Sequence, residues 1–428
     1  MDEEIKAFNN RQKQTRNDLK SSKLEDNGEE YIEAPIDKVG PIGRWIRHRL
    51  LSSSLYGTPL LCAIQRHRTP LWTKIMKYMS FFGTEEFYII LICFVKWIVD
   101  ARLGRLLCIL MGIGFFVSNF LKNCLCLPRP PCPPVIPLEE ATETWGLPSH
   151  HSVLCVVLPW YIWFYSMIHF NLGYSEQSLL FTAITIWSVS VLLCRVYLGV
   201  HSPADVVSGS ICGCLILAFW MKVDNYLDHY ISLGNNVIMQ ALIYTIALLF
   251  IHPRPKLRTG SFQETVCMLG TLVGFVMARS AWTARKPALC KTVLRELSDS
   301  TSWMNVVLVS MGRLLLGFII VLAVRSLGKV TFRSIVSNVY NLIGLKSVIR
   351  GGSKAHYFNT TYNKSFTLPP VFNLEKKSEK SIKSSNTISD DVWEVDHGAK
   401  YLTYVFVGWS GSYLAPLAFH LLGLNISS

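Results

Sequence analysis

Charged residues are scarce in this chain. Only 17% of its 428 residues are Asp, Glu, Lys or Arg, while 50% are hydrophobic and the mean hydropathy is +0.30. Soluble domains carry about 25% charged residues, so this composition excludes an ordinary soluble protein and predicts a polytopic membrane protein.

Acidic residues are fewer than basic ones, 29 against 42, so the formal net charge is +13. A basic excess can indicate a nucleic-acid-binding protein, but these residues flank hydrophobic segments and do not alternate with a soluble aromatic surface. We therefore expect the bilayer and its anionic headgroups, and no nucleic acid, as the partner of this charge.

The chain also lacks the cysteine pattern of a disulfide framework or a zinc site. Most of its twelve cysteines lie inside apolar runs, where Cys acts as a small apolar residue. Cys124 and Cys126 have no second pair at the spacing that a structural metal site needs. Residues 1–40 contain no early apolar stretch, which predicts a disordered polar tail and no cleaved signal peptide.

Continuous apolar runs predict an all-α fold, a polytopic bundle of about eight to ten transmembrane helices. The candidate spans are Phe87–Asp100, Leu103–Leu121, Val153–Phe170, Ser178–Leu193, Pro203–Trp220, Asn236–Ile251, Val266–Met277, Val306–Val324 and Leu402–Leu422. Gly209 and Gly213 form a small-residue face in the fifth span, which suits close helix packing.

These runs divide the chain into six segments. We predict a disordered tail over 1–40, a basic amphipathic juxtamembrane segment over 41–83, a membrane core with the polar motifs over 84–222, accessory transmembrane helices over 223–324, a partly disordered polar loop over 325–401 and a C-terminal transmembrane helix over 402–428. The basic segment suits helices that lie among lipid headgroups.

The first polar cluster lies where a span ends and a Pro-rich, non-helical loop over 122–150 begins. Lys122 and Arg129 stand seven residues apart at this membrane face. Arg offers a planar fork that matches two phosphate oxygens, and Lys supplies a point charge. The pair can hold a phosphate group, or both can be ordinary side chains that reach from a helix end toward the headgroups.

The second cluster, Pro148-Ser149-His150-His151, opens a span. Backbone N–H groups at a helix start, with a Ser hydroxyl beside them, form a cradle for an anion. Ser149 can also be a helix N-cap, and both roles can hold at once. Two adjacent histidines favour proton transfer near neutral pH.

Arg195, His201 and Asp205 form the third cluster. Ser202 before Pro203 predicts an N-cap with Pro at the first helical position, and Asp205 then falls where an acid completes the cap. In the functional interpretation, Asp205 accepts a hydrogen bond from one imidazole nitrogen of His201. The other nitrogen is then left to attack phosphorus.

Two predicted spans, Val153–Phe170 and Ser178–Leu193, lie between the second cluster and the third, and the loop over 122–150 joins the first cluster to the second. By parity, all three clusters lie on the same side of the membrane. Cations, a serine, histidines and a carboxylate in this order predict an apparatus that grips and cleaves a phosphate ester.

With these motifs the chain resembles the type 2 phosphatidic acid phosphatase (PAP2) superfamily, which shares its site with vanadium haloperoxidases. The family pattern of K-x6-RP, PSGH and SR-x5-H-x3-D matches within residues 87–222. The chain looks most like the sphingosine-1-phosphate (long-chain base phosphate) phosphatases in the stretches 68–71, 83–88, 126–131, 145–152, 195–202 and 391–395.

The resemblance implies a metal-independent hydrolase that acts on a lipid phosphate. His201 attacks phosphorus to form a phosphohistidine, Asp205 orients His201, and His151 protonates the leaving alkoxide and then activates water. No cofactor is implied, because cations supply the charge that a metal would. The phosphate-binding groups implied are Lys122, Arg129, Ser149, the backbone N–H of His150, and Arg195.

Two residues depart from the family pattern. His150 stands where Gly is frequent, so a bulky side chain crowds the phosphate cradle, although only its backbone N–H is required. Cys194 replaces the usual Ser before Arg195, at a position that is not central to the chemistry.

Three functional classes stay open at this point. The first is a phosphatase for sphingoid base 1-phosphates. The second is an enzyme for another substrate, such as phosphatidate, a polyprenyl diphosphate or a sugar phosphate, or one that transfers the phosphoryl group to an alcohol. The third is a transporter or scaffold. Transporters usually have two related halves, however, and these motifs lie in one half only. Haloperoxidases are soluble, so the spans argue against that activity.

Signals for membrane orientation conflict. The basic segment 41–77 favours a cytosolic site, whereas Asn359 and Asn363 begin glycosylation sequons in the loop that parity puts on the side of the site. The resemblance implies the endoplasmic reticulum membrane, with the site toward the lumen. The oligomeric state has no signal in the sequence.

Overall fold

The computed structural model describes residues 34–139, 144–232, 236–255, 259–285, 292–293, 302–343, 347–348 and 393–424. Within these ranges the chain is helical apart from its loops and one short parallel pairing of two strands, Ser347–Val348 with Trp393–Glu394. The predicted all-α membrane bundle is confirmed.

The helices are labelled in chain order. They are α1 (Pro41–Tyr56), α2 (Thr58–Arg66), α3 (Pro70–Phe81), α4 (Glu85–Phe94), α5 (Ala101–Leu125), α6 (His150–His169), α7 (Tyr174–Tyr197), α8 (Pro203–Ser232), α9 (Val237–Ile251), α10 (Gly260–Arg285), α11 (Trp303–Ile343), α12 (Val395–Trp409) and α13 (Ala415–Leu421). A π turn over Val95–Val99 extends α4, and another over Ser410–Leu414 joins α12 to α13.

Side-chain caps fix the starts of the helices that lead to the site. Thr69, Thr84 and Asp100 each accept a hydrogen bond from a backbone N–H in the first turn of α3, α4 and α5. These bonds satisfy N–H groups that have no partner inside a helix. Pro203 occupies the first position of α8, as predicted, because its missing N–H is not needed there.

The interior of the bundle is built around α6, which packs against α5, α7 and α8. The largest apolar cluster joins these helices and encloses Leu107, Leu110, Leu154 and Trp220 completely. The protein buries 72% of the most apolar stretch of α5 and 67% of that of α6, but only 28% of that of α7 and 17% of that of α11. Helices α5 and α6 therefore form the centre, while α7 and α11 turn their apolar sides outward.

The small-residue face on α8 brings two helices into contact, as predicted. A Cβ atom at Gly209 would lie 2.6 Å from the carbonyl oxygen of Ser149, and one at Gly213 would lie 3.0 Å from that of Val153. Contacts this short leave no room for a side chain. Glycine at these positions lets the start of α8 lie directly against the start of α6.

Six helices in the described ranges are long and apolar enough to cross a membrane, namely α5, α6, α7, α8, α10 and α11. They match six of the nine predicted spans. The span predicted over Phe87–Asp100 is α4 with its π turn, the one over Asn236–Ile251 is the shorter helix α9, and the last falls on α12 and α13. The chain is a multi-pass membrane protein.

The polar loop predicted over 325–401 is helical at both ends. Helix α11 continues to Ile343, well past Val324, and α12 already begins at Val395. Arg325, Lys329 and Arg333 recur every four residues, which places them on one face of a helix that continues beyond the apolar run. Apart from residues 347–348 and 393–394, the rest of that loop, with both sequons, lies outside the described residues.

The predicted tail over 1–40 also ends earlier than expected. Residues Pro35–Val39 form a 3-10 turn, and Asp37 of this turn pairs with Arg47 of α1 at 3.0 Å. Arg47 Nε donates to the carbonyl oxygen of Leu125 at 2.9 Å, so α1 is tied to the end of α5. Residues 1–33 lie outside the described ranges.

Candidate active site

Four helix ends meet at one end of the bundle and carry the polar clusters. Lys122 lies in the last turn of α5, and Arg195 in the last turn of α7. His150 and His151 begin α6, and Asp205 lies in the first turn of α8. The three remaining members of the set, Arg129, Ser149 and His201, lie in the loops that join these helices.

Three imidazole rings form a row across this end of the bundle. The ring centres of His150 and His151 are 4.0 Å apart, and those of His151 and His201 are 6.4 Å apart. All three side chains are buried, and His201 has no exposed surface. The candidate proton donor and the candidate nucleophile therefore face a common space.

Asp205 forms the predicted cap at the start of α8 and lies beside His201, but it makes no hydrogen bond to the imidazole. Its Oδ2 accepts the backbone N–H of Ser202 at 2.8 Å, and the Ser202 hydroxyl accepts the N–H of Asp205 at 3.2 Å, which completes the predicted cap. The same Oδ2 lies 3.5 Å from His201 Nδ1. This contact is an ion-pair distance without the alignment of a hydrogen bond, so the predicted bond to the imidazole is not formed.

Lys122 points into the protein and not toward the headgroups. Its side chain has no exposed surface, and its Nζ lies 2.9 Å from Nδ1 of His150. An ordinary residue at a helix end would extend toward water. The contact also shows that the His150 side chain reaches a candidate phosphate-binding cation.

Arg129 braces the loop that carries the candidate nucleophile. Its Nη1 donates to the carbonyl oxygen of Val200, the residue before His201, at 2.9 Å. Its Nε and Nη2 donate to the backbone oxygen and the hydroxyl of Thr144 at 3.0 and 2.9 Å. One guanidinium group thus joins the loop before α6 to the loop before α8.

The charge state of the loop residues suits the binding and transfer of phosphate. Burial lowers the pKa of His201 well below its ordinary value, and the charges of Arg129 and Arg195 lower it further, so the imidazole is neutral at neutral pH. Burial, followed by the charge of Arg195, lowers the pKa of Arg129 to about 10, which leaves this guanidinium protonated.

Several buried polar atoms around this space have no hydrogen-bond partner within the part of the chain that the structure describes. They are Ser149 Oγ, His151 Nδ1, both ring nitrogens of His201, Asp205 Oδ1 and Arg195 Nε. Buried polar atoms are nearly always hydrogen-bonded in folded proteins. Unpartnered donors and acceptors gathered among cations are suited to a polar, anionic ligand.

Ser149 is the clearest of these cases. It precedes α6 at the N-cap position, yet in the described residues its hydroxyl makes no capping bond. Its backbone N–H instead donates to the carbonyl oxygen of Asp205 at 3.0 Å, which holds the two helix starts together. The hydroxyl is therefore available to a ligand.

Sequence reasoning did not identify two residues that contact Arg195. The Arg195 Nη1 donates to the Ser80 hydroxyl at 2.7 Å and to Glu139 Oε2 at 2.8 Å. Ser80 lies in the juxtamembrane segment and carries no motif. Glu139 is an acid in the Pro-rich loop of an acid-poor chain, which is the one signal that could have drawn attention to it.

Among the residues described, no group of three His, Cys, Asp or Glu side chains is arranged to hold a metal ion. The cationic side chains at the site are Lys122, Arg129 and Arg195.

Comparison with known proteins finds a family match over the region that contains the candidate site. Residues 103–228 match the model of the PAP2 superfamily. This range runs from the start of α5 to the end of α8 and includes every candidate site residue predicted from the sequence. This stretch of the chain is therefore similar to PAP2 proteins.

Curated relatives resemble the chain over different extents. Lipid phosphate phosphatase delta of Arabidopsis thaliana is 26% identical over 89% of this chain and 89% of its own length. Dihydrosphingosine 1-phosphate phosphatase YSR3 of Saccharomyces cerevisiae is 29% identical over 49% of this chain and 53% of its own length. Sphingosine-1-phosphate phosphatase 2 of Homo sapiens is 23% identical over 59% of this chain and 63% of its own length. The alignments with the last two thus span between half and two thirds of those proteins.

Proposed function

We propose that this chain is a lipid phosphate phosphatase that hydrolyses sphingoid base 1-phosphates to the free base and inorganic phosphate. The observation that carries this proposal is the set of unpartnered buried polar atoms beside three cations and two facing imidazoles. The match of residues 103–228 to the PAP2 superfamily and the names of the yeast and human relatives support the reaction and the substrate class.

In the proposed complex, the phosphate dianion lies among Lys122, Arg129 and Arg195. Ser149 Oγ and the backbone N–H of His150 add hydrogen bonds at the start of α6, where the helix dipole also favours an anion. Because these groups are fixed by the fold before the substrate arrives, they stabilise the charge that builds up on the phosphoryl oxygens. In this proposal, the three cationic side chains supply the positive charge that a metal ion would otherwise provide.

The first chemical step transfers the phosphoryl group to His201. Asp205 lies beside Nδ1, so Nε2 is the nitrogen that attacks phosphorus, and the bond from phosphorus to the lipid oxygen breaks as the new P–N bond forms. His151 gives its proton to the departing alkoxide, which leaves as the alcohol of the sphingoid base.

In the second step, His151 acts as a base where it acted as an acid before. His151, now neutral, removes a proton from a water molecule whose oxygen attacks phosphorus. The P–N bond breaks, orthophosphate leaves and His201 returns to its starting form.

The proposal also includes a location for the protein. The chain lies in the endoplasmic reticulum membrane, with its site facing the lumen.

The test is phosphate release by membranes that carry the full chain, with dihydrosphingosine 1-phosphate, phosphatidate and a polyprenyl diphosphate compared side by side. We expect dihydrosphingosine 1-phosphate to give the highest kcat/KM, with no loss after treatment with a chelator. His201→Asn should lose at least about a thousandfold in kcat, because both the nucleophile and the intermediate are gone.

The matched control is His229→Asn, which replaces an exposed imidazole on the same helix as Asp205 and should leave the rate unchanged. Radiolabelled phosphate should be recovered on His201 after rapid quenching. Full activity of His201→Asn would refute the mechanism, and preference for phosphatidate would refute the substrate class.

A further inference from the structure

A carboxylate lies on the guanidinium group that the proposed mechanism assigns to phosphate. Glu139 Oε2 is 2.8 Å from Arg195 Nη1, and the Ser80 hydroxyl donates to Oε1 and Oε2 at 3.0 and 3.1 Å. The Arg195 side chain is 5% exposed and that of Glu139 is 31% exposed. A partly exposed acid therefore lies against a buried cation of the site.

The backbone before Glu139 is anchored, so this contact is set by the fold. The N–H of Leu138 donates to the carbonyl oxygen of Leu198, at the end of α7, at 2.9 Å. Gln65 of α2 holds Ile136 by two bonds, with its Nε2 donating to the Ile136 oxygen at 2.8 Å and its Oε1 accepting the Ile136 N–H at 3.0 Å. These bonds hold the carboxylate against the wall of the site.

A bound phosphate makes the surroundings of the charged Glu139 carboxylate less favourable. The dianion and the carboxylate compete for Arg195, and a phosphate that takes the guanidinium leaves Glu139 beside two further negative charges. A partly buried carboxylate that loses its cation is strongly unfavourable unless another cation replaces it. A substrate with a positive charge next to its phosphate would provide that replacement.

We propose that Glu139 binds the ammonium group of the substrate and so selects amino lipid phosphates. This inference rests on the proposed function. A sphingoid base 1-phosphate carries its ammonium on the carbon next to the one that bears the phosphate ester, so both charges reach Arg195 and Glu139 together. Phosphatidate and N-acylated sphingoid phosphates have no such cation. With them, the carboxylate faces the phosphate unpaired.

The other acids near the site are engaged differently. Asp205 accepts the backbone N–H of Ser202 and lies beside His201. Glu264 of α10 lies 3.2 Å from the amide nitrogen of Asn119. Glu139 is the acid that contacts a phosphate-binding guanidinium within the described residues, which singles it out for the charge next to the phosphate.

The test compares sphingosine 1-phosphate with ceramide 1-phosphate, in which an amide replaces the ammonium. Glu139→Gln keeps the shape of the side chain and removes its charge. We expect kcat/KM for sphingosine 1-phosphate to fall by about tenfold to a hundredfold, the range for a hydrogen bond to a charged group. The value for ceramide 1-phosphate should stay the same or rise, because a competitor for Arg195 has been removed.

The matched control is Glu86→Gln, an exposed acid at the start of α4, which should change neither value. Orthophosphate should still inhibit Glu139→Gln, which would show that the site is folded. Glu139→Asp should recover part of the preference for the amino substrate.

Each of the other possible outcomes would refute either the role of Glu139 in recognition or the proposed function. Equal rises for both substrates would make Glu139 only a competitor of phosphate, and equal falls would make it only a support for Arg195. No change in kcat/KM for either substrate would remove Glu139 from recognition while the proposed function stands. Failure of the unaltered protein to hydrolyse sphingosine 1-phosphate would instead refute the proposed function itself.

Discussion

The ammonium nitrogen of Lys122 lies 2.9 Å from Nδ1 of His150, and both side chains are buried. The contact gives a buried cation an acceptor inside the protein. His150 stands where Gly is frequent in the family pattern, and its ring also lies 4.0 Å from that of His151. The imidazole of His150 thus contacts Lys122, whereas the proposed phosphate cradle uses only the backbone N–H of His150.

The two adjacent histidines should therefore respond very differently to substitution. We expect His150→Ala to keep phosphatase activity within about tenfold and to lower the free energy of unfolding by about 1–3 kcal/mol, because Lys122 loses its acceptor. His151→Ala should lose at least about a hundredfold in kcat, because the proton donor is gone. Phosphate release and thermal unfolding of both variants measure this, and equal losses of activity would contradict it.

The role of His151 as an acid has a further consequence for substrates with good leaving groups. A nitrophenolate leaves without a proton, whereas the alkoxide of a lipid needs one. We therefore expect His151→Ala to lose at least about tenfold less in the first step with a nitrophenyl phosphate than with a sphingoid phosphate. Burst kinetics of nitrophenol release check this step, with His201→Asn as the control that forms no intermediate. Equal losses with both substrates would exclude His151 as the acid.

Local patterns predicted the helix starts around the site because a cap depends on neighbours in the sequence. Ser202, Pro203 and Asp205 lie within four positions, and their capping bonds appear as expected. The parity of spans placed the clusters at one end of the bundle without any knowledge of packing. Hydropathy also located the six long helices.

Contacts between distant residues could not be predicted in this way. Ser80 and Glu139 meet Arg195 across 115 and 56 positions, and no periodicity relates residues so far apart. The span predicted over Val306–Val324 ends earlier than α11 for another reason. Charges at Arg325 and Lys329 end the apolar run, but they lie on one face and leave the helix intact to Ile343.

The close approach of α8 to α6 makes Gly209 a second point at which the site can be tested. A Cβ there would lie 2.6 Å from the carbonyl oxygen of Ser149, a backbone atom that can move only if the start of α6 moves. We expect Gly209→Ala to reduce kcat at least about tenfold, since displacements of this size misplace reacting groups. Gly173→Ala is the control, because its nearest neighbour is a side-chain atom 4.0 Å away. Normal activity of Gly209→Ala would show that Ser149 tolerates the shift.

His252, which follows α9, should make the stability of the protein depend on pH. The side chain is 2% exposed and its ring packs edge-on against Phe116, Phe120 and Phe262. Burial lowers the pKa of His252 to about 4. The unfolded chain binds a proton near its ordinary pKa of about 6.5, while the native protein does not.

As the pH falls from 7 toward 4, proton uptake by the unfolded chain therefore lowers the free energy of unfolding, on the order of 2 kcal/mol by pH 5. Thermal unfolding at pH 7 and pH 5 measures this loss. We expect His252→Gln to reduce the difference between the two pH values, whereas His48→Gln, at an exposed position on α1, should preserve it. The same difference in His252→Gln as in the unaltered protein would show that His252 protonates in the native state, against the effect of its burial.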